Sequence, residues 1–165
     1  MKKPKGKREY MDKLLLDTTY LLPLFGVGVK LEGFTNLLPG ILNEYTVLYN
    51  PISIVESKWI VLRLMRRHPS MRENLLITFR DGLRVLLESE KLVQTSLTSP
   101  EVEEVADRLL IEGGVKDYFD RIIYATAVKH NLTLLTEDKD LLKLTLIKEM
   151  PKPKKVIKWS ELTNL

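Results

Sequence analysis

The stretch Lys13-Leu14-Leu15-Leu16-Asp17-Thr18-Thr19 constrains the fold more than any other, because its short apolar run stops at an aspartate and two hydroxyl side chains. A run this short, bounded by turn chemistry, is the pattern of a strand buried on both faces of a parallel sheet. In such sheets ligands gather beyond the carboxyl ends of the strands, where Asp17 falls. Asp and Thr are also good N-cap residues, so capping the following helix accounts for Asp17 when this stretch is taken alone.

The remainder alternates between strand and helix patterns. Thr18 to Phe25 reads as a short helix ended by Gly26 or Gly28, and residues 26 to 40 as a loop or broken helix beside a site. Tyr45 to Tyr49 is β-branched and aromatic and stops at Asn50-Pro51, which opens a helix reaching about Arg67. A second helix is expected over roughly Arg72 to Ser89, then a strand over Lys91 to Thr95. Ser99-Pro100-Glu101 starts a helix that Gly113-Gly114 ends, and Asp117 starts another that reaches about Lys129. Leu132 to Leu135 is a second apolar strand, running into Thr136-Glu137-Asp138, and Lys155 to Trp159 is the last. This order predicts an α/β domain whose parallel sheet of about five strands carries helices on both faces.

Residues 10 to 165 are expected to form that single domain, behind a basic flexible tail over residues 1 to 9. Lys2, Lys3, Lys5, Lys7 and Arg8 against Glu9 account for the whole net charge of +4, so the other side chains balance. Such an arm is a solvated tail or a segment that tracks RNA phosphates. The absence of cysteine removes disulfides, zinc ribbons and thiol catalysis and fits a reducing compartment, so a cytoplasmic location is expected. His68 and His130 stand near expected helix ends, where a cation is favourable, and are read as structural or solvated. Asp17 interrupts the apolar region that follows the basic start, which argues against a secretory signal, and no run approaches the length of a membrane span.

Asp17 and Asp138 end two strands that, if parallel, finish at the same edge, although hydroxyl and Asx turns alone account for Thr136 and Asp138. Glu56 has Ile52, Trp59 and Ile60 as helical neighbours, so it faces protein or a crevice. Two helix starts remain open: Ser53 as N-cap makes Glu56 its capping-box partner, and Asn50-Pro51 places Glu56 deeper. Asp120 is followed by Ile123, Tyr124 and Ala127 on one stripe, and it also lies where the helix dipole favours an acid. Carboxylates gathered in one crevice repel one another unless a cation neutralises them. Oxygen ligands without Cys or His select Mg²⁺ or Mn²⁺, whose natural chemistry with an activated water is phosphodiester hydrolysis. Thr18 or Thr136 would orient a ligand or water from behind.

The order LLLDTTYLL, SIVES, DYFDRIIYATA, LLTED resembles the PIN-domain ribonucleases, and among them the VapC-like toxins of bacteria and archaea. The resemblance implies a PIN-like three-layer sandwich and an endoribonuclease dependent on Mg²⁺ or Mn²⁺. Asp17, Glu56, Asp120 and Asp138 then form the catalytic and metal-binding quartet, with Thr18, Thr136 and Asp140 as accessory residues. It also implies an RNA substrate, an antitoxin protein as partner and a homodimer, with no membrane association. Thr19 stands where the family commonly has Asn or Ser, which alters the hydrogen bonding behind the site. Two rivals are a PIN-like scaffold that binds RNA or protein without catalysis, and a phosphoacceptor receiver domain. The receiver pattern wants an acceptor Asp at the end of the third strand, where this chain has Thr95-Ser96-Leu97.

Overall fold

The computed structural model describes residues 12–164; the basic residues Lys2, Lys3, Lys5, Lys7 and Arg8 lie outside them. Five short strands, β1 (Lys13–Leu16), β2 (Thr46–Tyr49), β3 (Leu92–Gln94), β4 (Thr133–Leu135) and β5 (Lys155–Ile157), form one sheet in the order β3-β2-β1-β4-β5. Every pairing is parallel. The strand first read from the sequence is therefore the central one.

Because side chains alternate along a strand, β1 serves two cores. Leu14 and Leu16 join Val47, Tyr49, Leu135 and Ile157 on one face, while Leu15 and Leu134 turn to the other. The first face is covered by α1 (Phe34–Glu44), α2 (Ile52–Arg67), α3 (Arg72–Glu88) and α7 (Trp159–Thr163). The second is covered by α4 (Pro100–Ile111), α5 (Tyr118–Lys129) and α6 (Lys139–Leu144). The result is a three-layer α/β sandwich around a parallel sheet. Among the described residues no helix is long and apolar enough to cross a membrane.

Three local expectations change. Thr18 to Phe25 is not one helix but two 3-10 turns, Thr18–Tyr20 and Leu22–Phe25, the second carrying Pro23 and ending at Gly26 with φ 78°. Residues 26 to 40 are neither all loop nor a broken helix, since α1 runs unbroken through Pro39-Gly40 despite the hydrogen bond that proline forfeits. Burial of Phe34 and Ile41 in the first core explains its persistence. The last strand stops at Ile157, and Trp159 opens α7 instead, its indole Nε1 donating to Glu32 O at 2.7 Å. The second 3-10 turn is held close to α3, where a Cβ on Gly82 would stand 2.0 Å from Leu24 O.

Candidate functional site

The register of the sheet places the first two candidates side by side. Leu16 pairs with Leu135, and the ladder continues one step as Asp17 N donates to Leu135 O at 3.0 Å. Asp17 thus falls level with Thr136, whose Oγ1 donates to Asp17 Oδ2 at 2.6 Å. Thr18 N donates to Asp17 Oδ1 at 2.6 Å, so Asp17 does cap the first 3-10 turn. Both carboxylate oxygens are engaged in a residue only 5 % exposed.

Tyr49 of β2 is level with Leu16, so the chain turns into α2 beside Asp17. Asn50 makes that turn rigid. Its Oδ1 accepts from Ile52 N at 2.9 Å, and its Nδ2 lies 2.9 Å from Thr126 Oγ1 and 3.0–3.1 Å from the carbonyls of Leu97 and Ser96. Of the two helix starts, the structure takes Asn50-Pro51, which puts Glu56 more than a turn inside α2. There Glu56 Oε2 accepts a short hydrogen bond from Thr18 Oγ1, which also lies 3.0 Å from Ser53 Oγ. Trp59 is 54 % exposed, so the stripe around Glu56 is apolar without being buried throughout.

From the other face, Asp117 caps α5 through Phe119 N at 2.8 Å, and Asp120 follows in the first turn. Beyond β4, Asp138 N donates to Thr136 Oγ1 at 3.0 Å, while Asp138 Oδ1 caps α6 by accepting from Asp140 N and Leu141 N at 2.8 and 2.9 Å. Asp17, Glu56, Asp120 and Asp138, with Thr18, Thr19, Leu22, Ile60 and Glu137, line one cleft of about 340 Å³. Thr136 supports it from beneath. Asp140 stays outside, exposed and paired with Lys143 Nζ at 2.9 Å. His68 and His130 are the exposed C-caps of α2 and α5 and do not line the cleft.

Charge in this cleft is costly. Asp120 is pushed up to about 8 by burial first and then by the charges of Asp17, Asp117, Asp138 and Glu56. Glu56 rises to about 6, again through burial, helped by Asp17 and Asp117 and opposed by the Thr18 hydrogen bond and by Arg63. Burial also raises Asp17, against the bonds from Thr136 and Thr18. Sequence reasoning read Asp117 only as a helix start and passed over Glu137. Glu137 Oε1 accepts from Tyr20 Oη at 2.7 Å and from Trp159 N at 2.8 Å, tying the end of β4 to α7 and the first 3-10 turn. Its partners stand 117 and 22 residues away, so no local signal marks it.

Among the described residues no three or more carboxylate or histidine side chains are gathered closely enough to hold a metal ion as they stand. The donor set nevertheless fits a hard divalent ion: it is all oxygen, it surrounds an open cleft, and it raises its own proton affinity in the way a cation relieves. Mg²⁺ keeps several waters and needs only a few carboxylates. Thr136 links two of these acids and should be sensitive to replacement. Thr136→Val, which removes the donor to Asp17 and the acceptor for Asp138 N, is expected to cost about 1–3 kcal/mol. The readout is a lower urea midpoint at unchanged slope, and an unmoved midpoint would mean that neither bond matters to the fold.

Fold and site together define the class: a three-layer α/β protein with an acidic cleft at the carboxyl edge of a parallel sheet. The family model of the PIN domain matches residues 14–145, and the chain belongs to the PIN-domain family. None of the curated protein sequences matches it. Among solved structures it is similar to a chain of VapBC2 from Rickettsia felis bound to a promoter DNA fragment, with 16% identity and a TM-score of 0.60 over 89% of this chain and 98% of that one. It is also similar to a chain of DNA-bound VapBC from Salmonella typhimurium, with 14% identity and a TM-score of 0.58 over 90% and 99% of the two chains. A third, from VapBC-5 of Mycobacterium tuberculosis, shares 19% identity at a TM-score of 0.51 over 88% and 96%. At these identities the likeness is one of fold.

Proposed function

We propose that the protein is an endoribonuclease dependent on Mg²⁺ or Mn²⁺, with Asp17, Glu56, Asp120 and Asp138 as its metal-binding and catalytic acids. The observation that carries this reading is that these four residues, two from beyond the carboxyl ends of strands, one from the first turn of a helix and one from a helix interior, line one cleft. Held by these acids, a divalent ion would supply an activated water and offset the charge of the phosphodiester. The protein's own part is positioning. Thr136 and the Thr18 amide hold both oxygens of Asp17, and the Asn50 anchor sets the direction of α2 and so the place of Glu56. Thr18 fixes Glu56 Oε2 and leaves Oε1 available to take the proton of the attacking water. In-line attack at phosphorus then breaks the P–O3′ bond, and the leaving 3′ oxygen takes a proton from solvent water, which leaves 5′-phosphate and 3′-hydroxyl ends.

The likeness to a member of the VapBC family of toxin-antitoxin systems supports an antitoxin partner for this chain, and a homodimeric state belongs to the same proposal. The test is cleavage of defined single-stranded RNAs with Mn²⁺ and with EDTA, with end-group analysis of the products. We expect cleavage only with the ion and 5′-phosphate ends. Metal-independent cleavage, or cyclic phosphate ends, would overturn the mechanism. Metal-independent RNA binding without any cleavage would favour the non-catalytic scaffold.

A further inference from the structure

α2 does more than deliver Glu56. Continuing along it, Trp59 is 54 % exposed at the third position after Glu56, and Arg63 and Arg67 follow at successive i+4 steps. Residues at these spacings lie next to one another on a helix surface. A second groove of about 230 Å³ is lined by Ile60, Arg63, Leu64 and Arg67, and Ile60 also lines the acidic cleft. The two depressions therefore share a wall. Arg63 and Arg67 are exposed, and neither has a carboxylate partner within ion-pair distance among the described residues. Arg63 is near enough to the cleft for its charge to act on Glu56.

An acidic cleft by itself repels a polyanion, so a substrate strand needs compensating cations close by. With a rise of 1.5 Å per residue, Arg63 and Arg67 stand about 10 and 16 Å along the axis from Glu56, and about 6 Å from each other. That last spacing is comparable to the step between phosphates of an extended strand. Trp59, lying between the acid and the arginines, offers an aromatic face on which an unpaired base can stack. Arg67 also benefits the negative end of α2, but Arg63 lies before the last turn and gains little from the dipole.

We propose that Trp59, Arg63 and Arg67 form the track that holds the RNA strand next to the bond to be cut, with Trp59 stacking a base and the two arginines binding flanking phosphates. This rests on the ribonuclease reading for its substrate, but RNA binding tests it separately. The experiment compares wild type with Trp59→Ala and with Arg63→Gln/Arg67→Gln. It measures the affinity for a fluorescent single-stranded oligoribonucleotide in EDTA across a salt series, and cleavage of the same RNA in Mn²⁺. The arginine variant should bind about tenfold more weakly, with a salt slope reduced by about 1.4, or 0.7 for each lost phosphate contact. Trp59→Ala should lose affinity at an unchanged slope, and KM for cleavage should rise with affinity loss while kcat holds. Lys148→Gln/Lys152→Gln, which removes the same charge before β5 at the other edge of the sheet, controls for net charge and should leave both quantities unmoved. Equal affinity and slope in the arginine variant would overturn the track and leave this groove to a polypeptide. If wild type binds RNA by this pattern but cleaves none, the track stands and the catalytic reading fails.

Discussion

Under the ribonuclease proposal, Asp17→Asn is expected to abolish cleavage without unfolding the protein. Loss of a charged oxygen at the centre of the acidic cleft is expected to lower Mn²⁺-dependent turnover at least about a hundredfold. The fold should tolerate the change because burial already penalises the Asp17 charge, and a neutral amide removes that penalty. Thr18 N can still donate to the amide oxygen, and the Thr136 hydroxyl can turn to accept from the amide nitrogen, since an oxygen with two lone pairs also serves Asp138 N. The metal-free melting temperature of the variant should therefore equal or exceed that of wild type. What it should lose is the response to the ion. A ligand at a hundred times its Kd stabilises wild type by about 2.7 kcal/mol, or roughly 5–10 °C in a chain of this length. Wild-type cleavage by a carefully purified variant would move the chemistry to another site, and a variant that fails to fold would reduce Asp17 to a capping residue.

The parts readable in the sequence were those with local causes. Leu14-Leu15-Leu16 and Leu134-Leu135 announce buried strands because parallel strands covered on both faces have no polar alternation to hide them. Asn50-Pro51 announces α2 because the Asn side chain and the proline each act within a few residues. Hidden features depend on distant partners. α1 crosses Pro39 because Phe34 packs against Trp159, with ring centres 5.1 Å apart, and local propensity yields to that burial. Asp117 looked like an ordinary cap because it is one; its effect on Asp120 is local, three residues along the same helix, but its effect on Glu56 follows only from the placement of α5 against the sheet. In the same way Asp17 and Asp138 are caps and ligand candidates at once, since an oxygen that accepts one hydrogen bond keeps a lone pair for an ion.

Without a divalent cation, the protein should lose stability as pH rises from about 4 to about 8. The sign follows from the direction of the shifts. In the unfolded chain Asp and Glu release their protons near 4, whereas folding holds the proton on Glu56 to about 6 and on Asp120 to about 8. The folded state thus binds more protons across this interval, and stability falls with pH until both groups have ionised. The stabilising contribution is complete below the unfolded values and gone above the folded ones. In urea titrations of EDTA-treated protein the midpoint should decline from pH 5 to 8. Asp120→Asn should flatten the upper part of that decline, and Glu56→Gln should move it to lower pH, because the Glu56 charge is one cause of the Asp120 shift. Mn²⁺ should reverse the slope, since a cation competes with protons for these oxygens and binds more tightly as they ionise. A metal-free midpoint that climbs from pH 5 to 8 would mean that the acids are solvated and independent, and the charge argument for a cation in the cleft would fall with it.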